Sequence, residues 1–96
     1  MDKYLQHTEA AKLLFTYTDI EQTWEEAGKE LHKHILHLLE NNLQGLYQLL
    51  YKIDIDEKKA KEAFGSDPNV IATNLTELIL QRILQKAESR LKNKHL

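Results

Sequence analysis

The chain has no cysteine, one proline and three glycines in 96 residues. Without cysteine there is neither a disulfide-stapled scaffold nor a thiol nucleophile, and so little proline and glycine excludes collagen-like and loop-rich folds. Charge of one sign is also missing. Thirteen Lys and Arg stand against fifteen Asp and Glu, a net charge of −2 with an isoelectric point near 6.2, so no global field draws the protein onto nucleic acid or anionic lipid. Long apolar runs are absent as well. No stretch approaches the roughly 18–20 residues that span a bilayer, and the mean hydropathy is −0.55. The start Met1-Asp2-Lys3-Tyr4-Leu5-Gln6-His7 lacks the basic flank, apolar stretch and cleavage site of a secretory signal, so cytoplasmic residence and no membrane partner are expected.

What the chain does have is apolar content, 42% against 29% charged residues, which suits one compact domain over residues 1–96. Helix-period spacing runs almost throughout and period-2 alternation is never sustained, so the expected class is all-α, a small antiparallel helical bundle of about four to five helices. Tyr4, Leu5, Ala11, Leu14 and Phe15 place a first helix over about residues 2–17, and Thr18 or Asp19 is the expected cap of the second. On that second helix Trp24, Ala27, Leu31, Ile35, Leu38, Leu39, Asn42 and Leu46 fall in a sector of about 120°. The stripe continues through Leu49, Leu50 and Ile53, while Asn41, Asn42 and Gly45 weaken the helix, leaving open a break near 41–45 or one bent helix.

Asp54-Ile55-Asp56-Glu57 predicts the capped start of a helix over about 56–64, with Gly65 as its left-handed stop. In Ser66-Asp67-Pro68-Asn69, Asp67 is placed to cap and Pro68 to occupy the first turn of a long helix reaching about Lys92. Its face Ile71, Leu75, Leu78, Ile79, Ile83, Ala87 and Leu91 is widened by Val70, Leu80 and Leu84, which predicts partners on two sides and makes a second copy of the chain a candidate to cover part of it.

Leu49-Leu50-Tyr51-Lys52-Ile53-Asp54-Ile55-Asp56-Glu57, Ile71-Ala72 and Leu75-Thr76-Glu77-Leu78-Ile79-Leu80-Gln81-Arg82 with Gln85-Lys86 resemble a group of uncharacterised small all-helical proteins from Bacteroidota bacteria. The similarity covers roughly the second half of the chain. It implies a bacterial cytosolic protein and carries no activity with it.

Chemistry-bearing residues are sparse. His32, His34 and His37 cluster in sequence, but His32 points about 140° or more away from the other two. Glu30, His34 and His37 share one helix face, and two imidazoles with a carboxylate make a reasonable ligand set for zinc or non-haem iron. That face also carries Glu26, Lys33 and Glu40 and lies opposite the Leu31, Ile35, Leu38 stripe, so an ordinary solvated surface is expected and no cofactor or metal is assigned.

Asp54 and Asp56 stand where a helix start wants acceptors. A calcium loop opening at Asp54 fails, with Lys58 and Ala60 at ligand positions and Lys59 where glycine is required. Ser66 and Ser89 stand in no nucleophile elbow, and the scattered glycines build no phosphate cradle. No catalytic residue is assigned.

Arg82, Lys86, Arg90, Lys92 and Lys94 set five cations against Glu88 in the last helix, and the first three recur every fourth residue as a phosphate-tracking stripe would. The acidic stretch Asp19, Glu21, Glu25, Glu26, Glu30 is an alternative partner for that end. Tyr47, Tyr51 and Trp24 are expected in the core rather than at an interface. By elimination the expected function is a non-enzymatic protein–protein interaction module whose partners include a second copy of itself. The two alternatives are a metal-binding protein using Glu30, His34 and His37, and a weak nucleic-acid binder using Arg82, Lys86, Arg90 and Lys94.

Overall fold

The amphipathic segments fold as five helices: α1 (Lys3–Thr18), α2 (Trp24–Asn41), α3 (Leu43–Ile53), α4 (Glu57–Ala63) and α5 (Pro68–Lys94). The computed structural model describes residues 3–65 and 67–94, with no strand among them. Ser66 and the side chain of Lys94, which enter the boundary and basic-stripe readings above, lie outside the described residues. Among the described residues no helix is long and apolar enough to cross a membrane.

Helix α5 is the axis of the bundle. It packs most extensively on α2 and α1, and also meets α3 and α4. Its stripe Ala72, Leu75, Ile79, Ile83 and Ala87 is fully excluded from solvent and interlocks with Leu14 of α1, Leu31 and Ile35 of α2, and Leu46 and Ile53 of α3. Each of the leucine and isoleucine side chains contributes roughly 1.5–3 kcal/mol by leaving water. Leu80 and Leu84, which widen the stripe, pack with Leu78 on the edge of this same core. The broad face is therefore covered within the chain and needs no second copy; Val70 alone of the residues that widen it stays exposed.

The helix ends depart from expectation in instructive ways. Asp19, expected to cap α2, instead takes a left-handed conformation (φ 61°) that ends α1, its N–H donating to Phe15 O at 2.7 Å. The cap of α2 is Thr23, whose N–H and hydroxyl both donate to the Glu26 carboxylate, at 3.2 and 3.1 Å.

The question left open at 41–45 resolves as a break. Asn42 leaves helical geometry (φ −156°, ψ 71°) and caps α3 by accepting the Gly45 N–H at 3.0 Å. A Cβ at Gly45 would lie 2.5 Å from the Asn42 side chain, so glycine keeps this cap in place.

Gly65 is not the left-handed stop, since no described glycine has positive φ. That geometry belongs to Asp54 (φ 66°, ψ 50°), which closes α3 while Ile55 N–H donates back to Leu50 O at 3.0 Å. Asp is among the few residue types other than glycine that enter this region readily. Asp56 then caps α4, accepting the Lys58 N–H at 3.2 Å, and Asp67 accepts the Asn69 N–H at 2.9 Å ahead of Pro68.

Candidate interaction surface

The basic stripe of α5 is tied into the fold. Arg82 Nη2 donates to Asp54 Oδ2 at 3.2 Å, joining α5 to the corner that closes α3. Lys86 Nζ stands 3.2 Å from the Tyr17 hydroxyl and 5.5 Å from the ring centre, so the oxygen is its principal contact on α1. Arg90 Nε reaches the Glu9 carboxylate at 3.3 Å, where the acid is almost wholly buried and the guanidinium half-exposed. Lys92 pairs along its own helix with Glu88 at 3.0 Å. Within the chain, the partners of Arg82, Lys86 and Arg90 are thus Asp54, Tyr17 and Glu9 rather than the acidic stretch Asp19, Glu21, Glu25, Glu26, Glu30.

The histidines disperse in the same way. Among the described residues no three His, Asp or Glu side chains gather as a group that could hold a metal ion. Glu30 pairs with Lys33 at 3.8 Å, and His37 Nδ1 lies 3.2 Å from the Asn41 amide. His34 is half-buried, and burial, reinforced by the charge of His37, pushes its pKa below the usual histidine value. His32 turns toward α5, with Nε2 3.3 Å from the Thr73 hydroxyl. The same hydroxyl lies 2.9 Å from Asn69 O, one turn back on α5.

Apart from Leu5 and Val70, the large apolar side chains left in water among the described residues lie at two places. On one side, a groove of about 630 Å³ runs between α1 and the start of α2, lined by Tyr4, Ala11, Phe15 and Trp24 among others. Trp24 is half-buried against the core, with the His7 ring 6.0 Å away between centres, and Tyr4 and Phe15 are exposed.

On the other side lies the outer surface of α3. Its inner face, Leu46, Leu49, Leu50 and Ile53, is buried. Leu43, Tyr47 and Tyr51 form a row on the outside at 43, 52 and 87% exposure, beside a second row of Gln44, Gln48 and Lys52. Tyr47 and Tyr51 are therefore not core residues. Tyr47 keeps one aromatic neighbour, Phe64 beyond α4, at 5.9 Å; Tyr51 stands almost entirely in water.

The signal for this was in the spacing. At about 100° per residue Tyr51 lies about 150° from the centre of the Leu46–Ile53 stripe, too far round the helix to share its burial. Lys52 is the one charged residue of α3, in a protein where 29% of residues carry charge. An uncharged, tyrosine-bearing face is the composition found at the centres of protein interfaces. Comparison of the chain with protein-family models, with curated proteins and with solved structures returns no match, so its resemblances add nothing to what this surface shows.

Proposed function

We propose that this protein is a non-enzymatic interaction module that works by binding other protein surfaces, a second copy of itself included. The observation that carries the reading is the Leu43, Tyr47, Tyr51 row, large apolar side chains held in water on a helix whose other face is fully used by the core. Exposing them has no folding rationale, because burying apolar area is what stabilises the fold; a partner that covers them supplies one. The groove between α1 and α2 offers a second contact area. The side chains with reactive potential support the same reading, since Asp54, Asp56, Glu9 and Arg82, Lys86, Arg90 and Lys92 of α5 are engaged in capping and pairing.

The test is photo-crosslinking in cells from a probe amino acid at Tyr51 or Phe15, with Glu77, exposed on α5, as the control position. Discrete adducts of defined mass from the first two and none from Glu77 are expected. Equal labelling from all three positions would show a surface without preferred contacts and would end the proposal.

A further inference from the structure

The groove between α1 and the start of α2 specifies the chemistry of a partner, on the proposed reading of this protein as an interaction module: we infer that it takes a basic amphipathic helix of another protein. Helix α1 is apolar on two sides. Ala10, Leu13 and Leu14 are buried in the core, while Tyr4, Ala11 and Phe15 line the groove together with Trp24 of α2. At 1.5 Å per residue Tyr4 to Phe15 spans about 16 Å, the length of three helical turns, so the groove matches the apolar face of a short helix laid along it.

Charge selects which helix. Glu21 and Glu25 line the groove beside Trp24, both exposed, and among the described residues neither forms an ion pair or a hydrogen bond. Lys12 on α1 is the one lysine or arginine of the lining. From Leu13 to Gly28 the sequence holds Asp19, Glu21, Glu25 and Glu26 and no basic residue. The groove is therefore net acidic around an apolar floor, and its complement carries lysine or arginine beside leucine-like side chains. A second copy does not supply that combination, because the cationic helix of this chain, α5, has its apolar stripe inside the core.

Trp24 is the only tryptophan and reports on the groove directly. A tryptophan-free amphipathic peptide of leucine and lysine is titrated into the full untagged chain, against a peptide of the same length and pattern with glutamate in place of lysine. A saturating change in Trp24 fluorescence is expected from the lysine peptide over about 1–300 μM, and none from the glutamate peptide. Glu21→Gln with Glu25→Gln is expected to weaken binding about fivefold, whereas Glu62→Gln with Glu77→Gln, an equal loss of charge at exposed positions on α4 and α5, leaves it unchanged. Phe15→Ala weakens it by about tenfold, with circular dichroism verifying that each variant is folded.

No response to the lysine peptide, an equal response to both peptides, or equal weakening by the two glutamine pairs would overturn the inference. A Trp24 change on concentrating the protein alone would place a second copy in the groove and overturn it too. Foreign-protein adducts from the Phe15 crosslinking position, in a protein that ignores the lysine peptide, would overturn the basic partner alone and leave the interaction-module reading in place.

Discussion

Helices α3 and α5 are both rich in leucine and isoleucine, yet they spend their side chains differently. Helix α5 is surrounded: α1 and α2 flank it, α3 and α4 close on it, and Leu80 and Leu84, which widen its stripe, find cover, with Val70 in its first turn left exposed. Helix α3 is covered on one face only, so Leu46, Leu49, Leu50 and Ile53 are buried while Leu43, Tyr47 and Tyr51 point outward. The difference teaches that apolar content alone says little about exposure. A central helix buries nearly all the apolar surface it has, whereas an apolar side chain on the outer face of a peripheral helix stays in water.

The sharpest way to break that comparison is to shorten one side chain on each helix. Ile79→Ala on α5 removes a fully buried side chain and is expected to cost about 3 kcal/mol, a large share of the roughly 5–15 kcal/mol total of a small domain. Tyr51→Ala on α3 should change monomer stability by less than about 0.5 kcal/mol. Urea denaturation at low protein concentration measures both, and a similar loss from the two would mean that α3's outer face is packed after all.

A smaller effect separates the tethers of α5 from its surface charges. Arg90→Ala removes an ion pair that reaches a buried carboxylate and is expected to cost about 1–2 kcal/mol, against less than about 0.5 for Lys92→Ala. Equal costs would mean that the stripe is solvent-facing charge and free for a ligand.

The start of α3 offers a coupled test of about 1 kcal/mol. Asn42→Ala loses the cap and should cost about that much. Gly45→Ala would gain a similar amount from helix propensity, but its Cβ crowds the Asn42 side chain that makes the cap. In the wild-type background the gain is therefore expected to vanish, and in the Asn42→Ala background to appear in full; a double-mutant cycle by denaturation reads the difference.

Acid provides the mildest perturbation, read at two groups of α2. His34 has a folded pKa below its ordinary 6.5, so the unfolded chain takes up the proton first and stability falls as pH drops below 6.5 toward the folded value. Glu26 is also lowered, by the Thr23 N–H, then the Thr23 hydroxyl and the Lys29 charge. Its contribution is present above the ordinary 4.5 and is lost as pH falls through the folded value. Both slopes have the same sign. His34→Gln should flatten the first step and leave the second, as read from melting temperatures across pH 8 to 3.

Much of the fold was legible because it is local. Period-3.6 patterning marks α1, α5 and the combined stretch of α2 and α3, Pro68 with Asp67 marks the start of α5, and the sequence Asp54 to Glu57 marks the corner between α3 and α4, although Asp54 serves as the stop rather than the cap. The break at Asn42 could not be read, because the propensity costs of Asn41, Asn42 and Gly45 weaken a helix without deciding whether it bends or ends. The candidate surface was legible only in part: the angular position of Tyr51 was in the sequence, but whether anything else in the chain would cover it was not.

What the sequence by itself determined is a set of helical segments, the capped start of α5 and the face most of them keep apolar, since backbone geometry and capping act over a few residues. Only the tertiary structure decided which face meets which. It joined Arg90 to Glu9 and Lys86 to Tyr17 across most of the chain's length, consumed the wide stripe of α5 internally and left α3's tyrosines outside. The physical reason is that burial is non-directional: a stripe of leucines specifies that it must leave water, and nothing in the stripe says against what.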